Sequence, residues 1–242
     1  MRAVFLKEIN SFFSGAIGYL VIAIFLILSG LFLWVFEGQF NIPDYGFANL
    51  SGFFQLAPWV LLFLIPAITM RSFSEEYKQG TIELLLTRPI SPNKLIVGKF
   101  LGSLFVAVLA IVPTLLYVIA IYALKQDNAV IDSGQLIGSY LGLILLVSSF
   151  TAIGIFSSTL SKNQIVAFVV GALISFLCYY AFEGLSTTLF NSDIYTLDYL
   201  GMSFHYQSIS RGVLDTRDIV YFLSIVLLFL GLTRFNLKRY KR

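Results

Sequence analysis

RSFSEEYKQGTIELLLTRPISPNKLIVGKFLG, residues 71–102, lies between two long apolar runs. It is too polar to span a bilayer and too patterned to be a linker. Ser72 and Glu75 have the spacing of a capping box, which predicts a helix start with its first amides satisfied. Gly80 breaks that helix, and Thr81 is placed to cap a second one. In the second helix Ile82, Leu85 and Leu86 share a face, while Glu83, Thr87 and Arg88 lie elsewhere. Pro89 ends it, and Ser91-Pro92 opens the next helix with proline at its first position. A structured, charged platform between two membrane spans presents a surface to the cytosol.

Working outward, the composition fixes the class. Of 242 residues, 58% are hydrophobic and 12% charged, with a mean hydropathy of +0.86. Soluble domains carry about 25% charged residues. The expected fold class is an all-α integral membrane protein, one domain over residues 1–242, with six transmembrane helices, an N-terminal interfacial helix and short cytoplasmic coupling helices. The spans read as 16–36, 53–70, 100–124, 135–160, 165–182 and 219–233, and none contains Asp, Glu, Lys, Arg or His. The last extends toward Leu237.

Orientation follows from the basic residues. With both termini inside, the inner segments hold 13 Lys or Arg and the outer loops only Lys125, Arg211 and Arg217. This predicts an N-in, C-in protein of the bacterial inner membrane. The net charge of +3 is therefore a topological signal, and no aromatic and basic interleaving suggests nucleic-acid binding. No small-x-small site follows the first span before Glu37, so no cleavable signal peptide is expected. Trp34, Trp59, Tyr179 and Tyr180 fall near the outer interface, where amphipathic rings prefer to sit. Cys178 is the chain's one cysteine, which excludes an internal disulfide.

Residues 1–14 form a second amphipathic element. Phe5, Ile9, Phe12 and Phe13 share one helical face, the pattern of a helix lying in the inner interface against membrane lipids. Gly98 with Gly102, and Gly138 with Gly142, mark candidate close helix contacts. Pro113 should kink the third span. The serines and threonines of the fourth span read as packing residues. The outer segment 183–218 holds the only histidine, His205, read as an interfacial hydrogen-bonding residue because a lone histidine makes a poor metal site.

The chain lacks a phosphate loop, an H-E-x-x-H motif and a G-x-S-x-G motif. With no ionisable residue inside the spans, a proton-coupled carrier is disfavoured. No catalytic residue, cofactor or metal ligand is expected, and the chain is not expected to be an enzyme.

Phe73, Glu75-Glu76, Gly80-Thr81, Glu83-Leu84-Leu85-Leu86, Pro89, Ser91 and Gly98-Lys99 resemble the segment after the second span of ABC-2 type transporter permeases. A second match, His205-Tyr206, Ser208, Arg211-Gly212-Val213, Asp215, Arg217-Asp218 and Tyr221-Phe222, resembles the stretch before the last span of that family. Within the family the chain looks most like the gliding-motility-associated (Gld-type) permease subunit. The resemblance implies a permease that exports a substrate using a separate cytoplasmic ATP-binding cassette subunit, paired with a second copy or a related permease. It makes Glu75, Glu76, Gly80, Thr81, Glu83, Leu85, Leu86 and Pro89 candidates for the coupling segment 71–94. Glu76 and Glu83 are expected to meet basic or amide groups at the cytosolic interface, with Leu85 and Leu86 seating the second helix on the spans. Arg211, Gly212, Asp215, Arg217 and Asp218 are expected to form an outer polar cluster that sets where the last span enters the bilayer. The alternative is a non-transporting membrane scaffold anchoring a cell-envelope assembly.

Overall fold

The structure, a computed structural model, describes residues 2–45, 49–83, 91–125, 132–189 and 198–240. It contains α1 (Arg2–Phe13), α2 (Ala16–Trp34), α3 (Ile42–Tyr45), α4 (Ser51–Thr69), α5 (Arg71–Lys78), α6 (Pro92–Ile111), α7 (Leu115–Leu124), α8 (Ser133–Ser158), α9 (Gln164–Phe176), α10 (Phe182–Leu189), α11 (Met202–Ser210) and α12 (Thr216–Tyr240). There is no strand among the described residues. Five helical stretches, 51–78, 92–124, 133–158, 164–186 and 216–239, are long and apolar enough to cross a membrane. A sixth is present if α1 and α2, bent by 70° at their break, count as one span.

α8 is the central helix, packed against α4, α6, α9, α11 and α12. Its residues Leu143, Leu146, Val147, Phe150 and Ile153 are fully enclosed. The bundle exposes many large apolar side chains, with Ile165, Leu227 and Phe235 each about 70% exposed. Such a surface needs lipid rather than water around it.

Two helix contacts follow the small-residue pattern of the sequence. A Cβ on Gly102 would come 2.7 Å from Glu8 Cβ, so α1 lies directly on α6. A Cβ on Gly138 would come 3.0 Å from the Ile209 carbonyl, and one on Gly142 would come 3.1 Å from Ile209 Cγ2, so α11 lies directly on α8. The tightest crossing carries no second glycine. At Gly154 an added Cβ would overlap Thr69 Oγ1, where α4 meets α8.

Proline interrupts the helices where it must. Val112–Thr114 is a 3-10 turn around Pro113 that joins α6 to α7. α4 carries Pro58 and Pro66 within it. Proline has no N–H, so Pro58 leaves the Phe54 carbonyl four residues earlier without its helical donor. The Tyr206 hydroxyl donates to that carbonyl across the bundle at 2.8 Å.

Two expectations are corrected. Ser72 and Glu75 form no capping box, because Met70 is itself helical and α5 continues from α4 with no free amides at its start. α1 does not turn its aromatic face only to lipid. Phe5 packs edge-on against Phe105 of α6 at 5.8 Å, and Ile9, Phe12 and Phe13 pack against the main core.

Candidate coupling site

At the end of the bundle that carries α1 and α5, a lysine is buried among helices. Lys99, in the second turn and beyond of α6, has a side chain only 2% exposed. Its Nζ donates to Glu8 Oε1 at 2.8 Å, to Glu76 Oε1 at 3.0 Å, and to the Ser72 carbonyl. The ammonium also lies 4.8 Å from the centre of the Phe73 ring. All three ammonium protons thus have acceptors, and an aromatic face covers it. Lys7 adds a second donor to Glu76 Oε1 at 3.0 Å, although its own side chain is 59% exposed, and such a pair contributes little by itself. Lys99 is the pin of a joint between α1, α5 and α6.

An apolar cluster backs this joint. Val4 of α1, Phe73 and Tyr77 of α5, Ile82, Leu95 and Ile96 of α6, Ile155 of α8 and Leu237 of α12 pack together. Asn236 ties the same end by donating from Nδ2 to the Thr159 carbonyl and hydroxyl at 3.0 Å each.

The end of α5 has the hydrogen bonds of a Schellman motif. Gly80 N–H donates to the Tyr77 carbonyl at 3.3 Å and Thr81 N–H to the Glu76 carbonyl at 3.0 Å, with Gly80 at φ +69°. The break read at Gly80 is therefore a left-handed helix stop. Thr81 Oγ1 also donates to the Glu76 carbonyl at 3.4 Å, so the hydroxyl serves the helix it follows.

The candidate coupling residues separate by exposure. Glu76 points inward, 6% exposed, and meets this chain's own lysines instead of facing outward. Glu75 is half-buried and accepts from Gln79 Nε2 at 3.2 Å. Lys78, Gln79, Gly80 and Glu83 form the exposed rim, while Ile82 is fully buried. Leu85, Leu86 and Pro89 lie outside the described residues.

Sequence reasoning missed Lys99, Glu8, Lys7 and Ser72 as partners. The signal was present in α6, where Lys99 falls on the buried stripe of Leu95, Ile96, Gly102, Ser103 and Val106.

At the opposite end, the structure brings Asp215, Arg217 and Asp218 together and sets Arg211 and Gly212 apart. Asp215 Oδ1 accepts from Arg217 N–H at 2.9 Å and its carbonyl from Asp218 and Ile219, capping α12. Arg211 Nε donates to the Gln207 carbonyl at 3.2 Å, and the residue is exposed. Gly212, at φ +89°, passes 3.2 Å from Gln135 Cα measured from an added Cβ. Asp218 is buried and meets His205 at 2.7 Å. The order is thus a cap, a turn and a separate histidine pair. A cavity of about 700 Å³ opens beside them, lined by Phe54, Gln55, Trp59, Gln135, Tyr206 and Gln207 among others. No group of three metal-ligating side chains occurs among the described residues.

The family described as ABC-2 family transporter protein matches residues 38–236. The chain belongs to the ABC-2 transporter family. No curated protein sequence matches it. The matched region of this ABC-2 protein contains α5, Glu76 and Lys99, whereas Lys7 and Glu8 precede it. Members of the family are membrane components of transporters, and membership implies a separate ATP-binding cassette subunit.

Proposed function

We propose that this chain is the permease subunit of an ABC-2 exporter, and that the α5 segment transmits the motion of a cassette ATPase to the spans. The observation that carries this reading is the Lys99 joint. One buried cation binds Ser72 and Glu76 of α5, Glu8 of α1, and its own helix α6. A push on the exposed rim from Lys78 to Glu83 then moves α1 and α6 together with α5. Interfaces of packed helices shift as units because they do not deform continuously. In the native assembly the permease pairs with a second copy or a related permease, with N- and C-termini on the cytoplasmic side of the inner membrane. The resemblance to Gld-type subunits supports a role linked to gliding motility.

The test is co-purification with the cassette ATPase encoded beside the gene, followed by ATPase assay in proteoliposomes. Stable assembly, and ATP turnover that depends on the permease, support the reading. A permease that never retains a cassette subunit is a scaffold, and that result overturns it.

A further inference from the structure

His205 of α11 lies between two acceptors. Its Nδ1 is 2.7 Å from Asp218 Oδ1 and its Nε2 is 2.9 Å from the Tyr199 carbonyl oxygen. The ring stacks on Tyr221 at 3.9 Å and 23°. Histidine and aspartate are both buried, at 8% and 4% exposure. A neutral imidazole has one N–H and one lone pair. In that form one of these two short contacts would set a lone pair against a lone pair. With Asp218 ionised, it is the imidazolium, with a proton on each nitrogen, that satisfies both acceptors.

The place of this pair in the fold gives it consequence. α11 is held to α8 and α4 by bonds that do not titrate near neutrality: Ser139 Oγ to the Ser210 carbonyl at 3.0 Å, and Tyr206 to the Phe54 carbonyl. Toward α12 it is held by the His205–Asp218 pair, and the turn before it by Tyr221 donating to the Leu200 carbonyl at 2.6 Å. Tyr206, Gln207 and Ser210 of this same helix line the 700 Å³ cavity. The ionisable groups around the ring are Asp218 and Tyr221 from α12, and Asp198 and Tyr199 from the preceding turn. The π-helical turn 177–181 adds the ionisable Cys178 and Tyr179, with Glu183 acting on Tyr179 from the next turn, whereas the contact face of α8 presents Gly138, Ser139 and Gly142, which do not ionise.

We propose that His205 and Asp218 form a proton-binding site that locks α11 against α12 and so fixes one wall of the cavity. When the proton leaves at higher pH, one attraction becomes a repulsion, and the wall is released. This goes beyond the permease reading and does not depend on it.

The chain's single histidine makes the test direct. In protein labelled with ¹⁵N-histidine and held in lipid nanodiscs at about pH 7, the geometry calls for a proton on both ring nitrogens. Asp218→Asn should convert the ring to a neutral tautomer at that pH. A neutral ring in the parent protein at about pH 7 overturns the site. The lock has its own readout in a Cys178→Ala background, with the buried Ser203→Cys on α11 compared with the exposed Val213→Cys. Between about pH 7 and pH 9 the reactivity ratio of the two thiols should rise several-fold more in favour of position 203 than in the same protein carrying Asp218→Asn, which controls for ionisation of the thiols themselves. An equal rise in the two proteins overturns the lock.

Discussion

Lys99 Nζ and Glu76 Oε1 lie 3.0 Å apart with side chains 2% and 8% exposed, on two helices separated by residues 79–91. Burying this pair is costly for each charge alone, and the shared contacts to Glu8 and Ser72 offset that cost. The segment 71–83 is therefore anchored by electrostatics inside the protein, with Lys78, Gln79, Gly80 and Glu83 exposed at its rim.

Lys99→Met removes the cation and leaves Glu8 and Glu76 facing each other without it. Breaking a buried pair in this way costs roughly 3–5 kcal/mol. The expected result is a large fall in the thermal midpoint in detergent. Glu76→Gln, which keeps a hydrogen-bonding oxygen, should cost less, on the order of 1–3 kcal/mol. A Lys99→Met protein as stable as the parent would show that the joint carries no load.

Gly80 at φ +69° has nothing within 4 Å of an added Cβ, so substitution there meets conformational strain alone. Gly80→Val should cost about 1–2 kcal/mol and misdirect the chain leaving α5, whereas Gly80→Asn should be tolerated. Glu83 is exposed, so Glu83→Lys should leave thermal stability unchanged while reducing capture of the cassette ATPase in a pull-down. Normal capture by both Gly80→Val and Glu83→Lys would sink the coupling reading.

Tyr206→Phe deletes the donor that serves the Phe54 carbonyl opposite Pro58. The carbonyl is then buried without its partner, which costs roughly 1–3 kcal/mol. Adding Pro58→Ala, which returns a helical N–H to that carbonyl, should recover part of the loss. A double-mutant cycle in thermal denaturation measures the coupling directly.

Gly154→Ala sets a methyl into Thr69 Oγ1, so the Thr69 side chain must rotate or α4 and α8 must move apart. Overpacking of this kind costs typically about 1–3 kcal/mol. Thr69→Ala, which deletes the clashing hydroxyl, should restore much of it, and the measurement is again the thermal midpoint of the single and double variants.

Topology is tested with Cys178 removed. A cysteine at Lys78 should be shielded from an impermeant thiol reagent in sealed cells, and cysteines at Asp44 and Arg211 should label. Labelling at position 78 in sealed cells would reverse the orientation read from the basic residues.

Much of the helix layout was legible because it depends on local properties. Ser91-Pro92 begins α6, Pro113 interrupts the helix it lies in, and Gly80 ends α5, each through its own backbone chemistry. The glycines at 138 and 142 likewise marked the seat of α11, since only a missing side chain lets a backbone come that near. The capping box at Ser72 failed for the opposite reason. A cap needs a helix end, and whether α4 stops before Arg71 is not encoded in the four residues of the motif.

The sequence by itself determined that this is a helical membrane protein with several apolar helices, interrupted at Gly80 and Pro113, because hydropathy, proline and glycine act over a few residues. It also carried the motifs by which the chain matches the ABC-2 family. Only the tertiary structure decided which charges meet. Lys99 reaches Glu8 across 91 positions of chain and Glu76 across 23, and His205 chooses Asp218 while Arg211 and Arg217 stay outside. Pairing of charges depends on which side chains are withdrawn from solvent together, and that is a property of packed helices, which residue spacing along one strand of sequence does not contain.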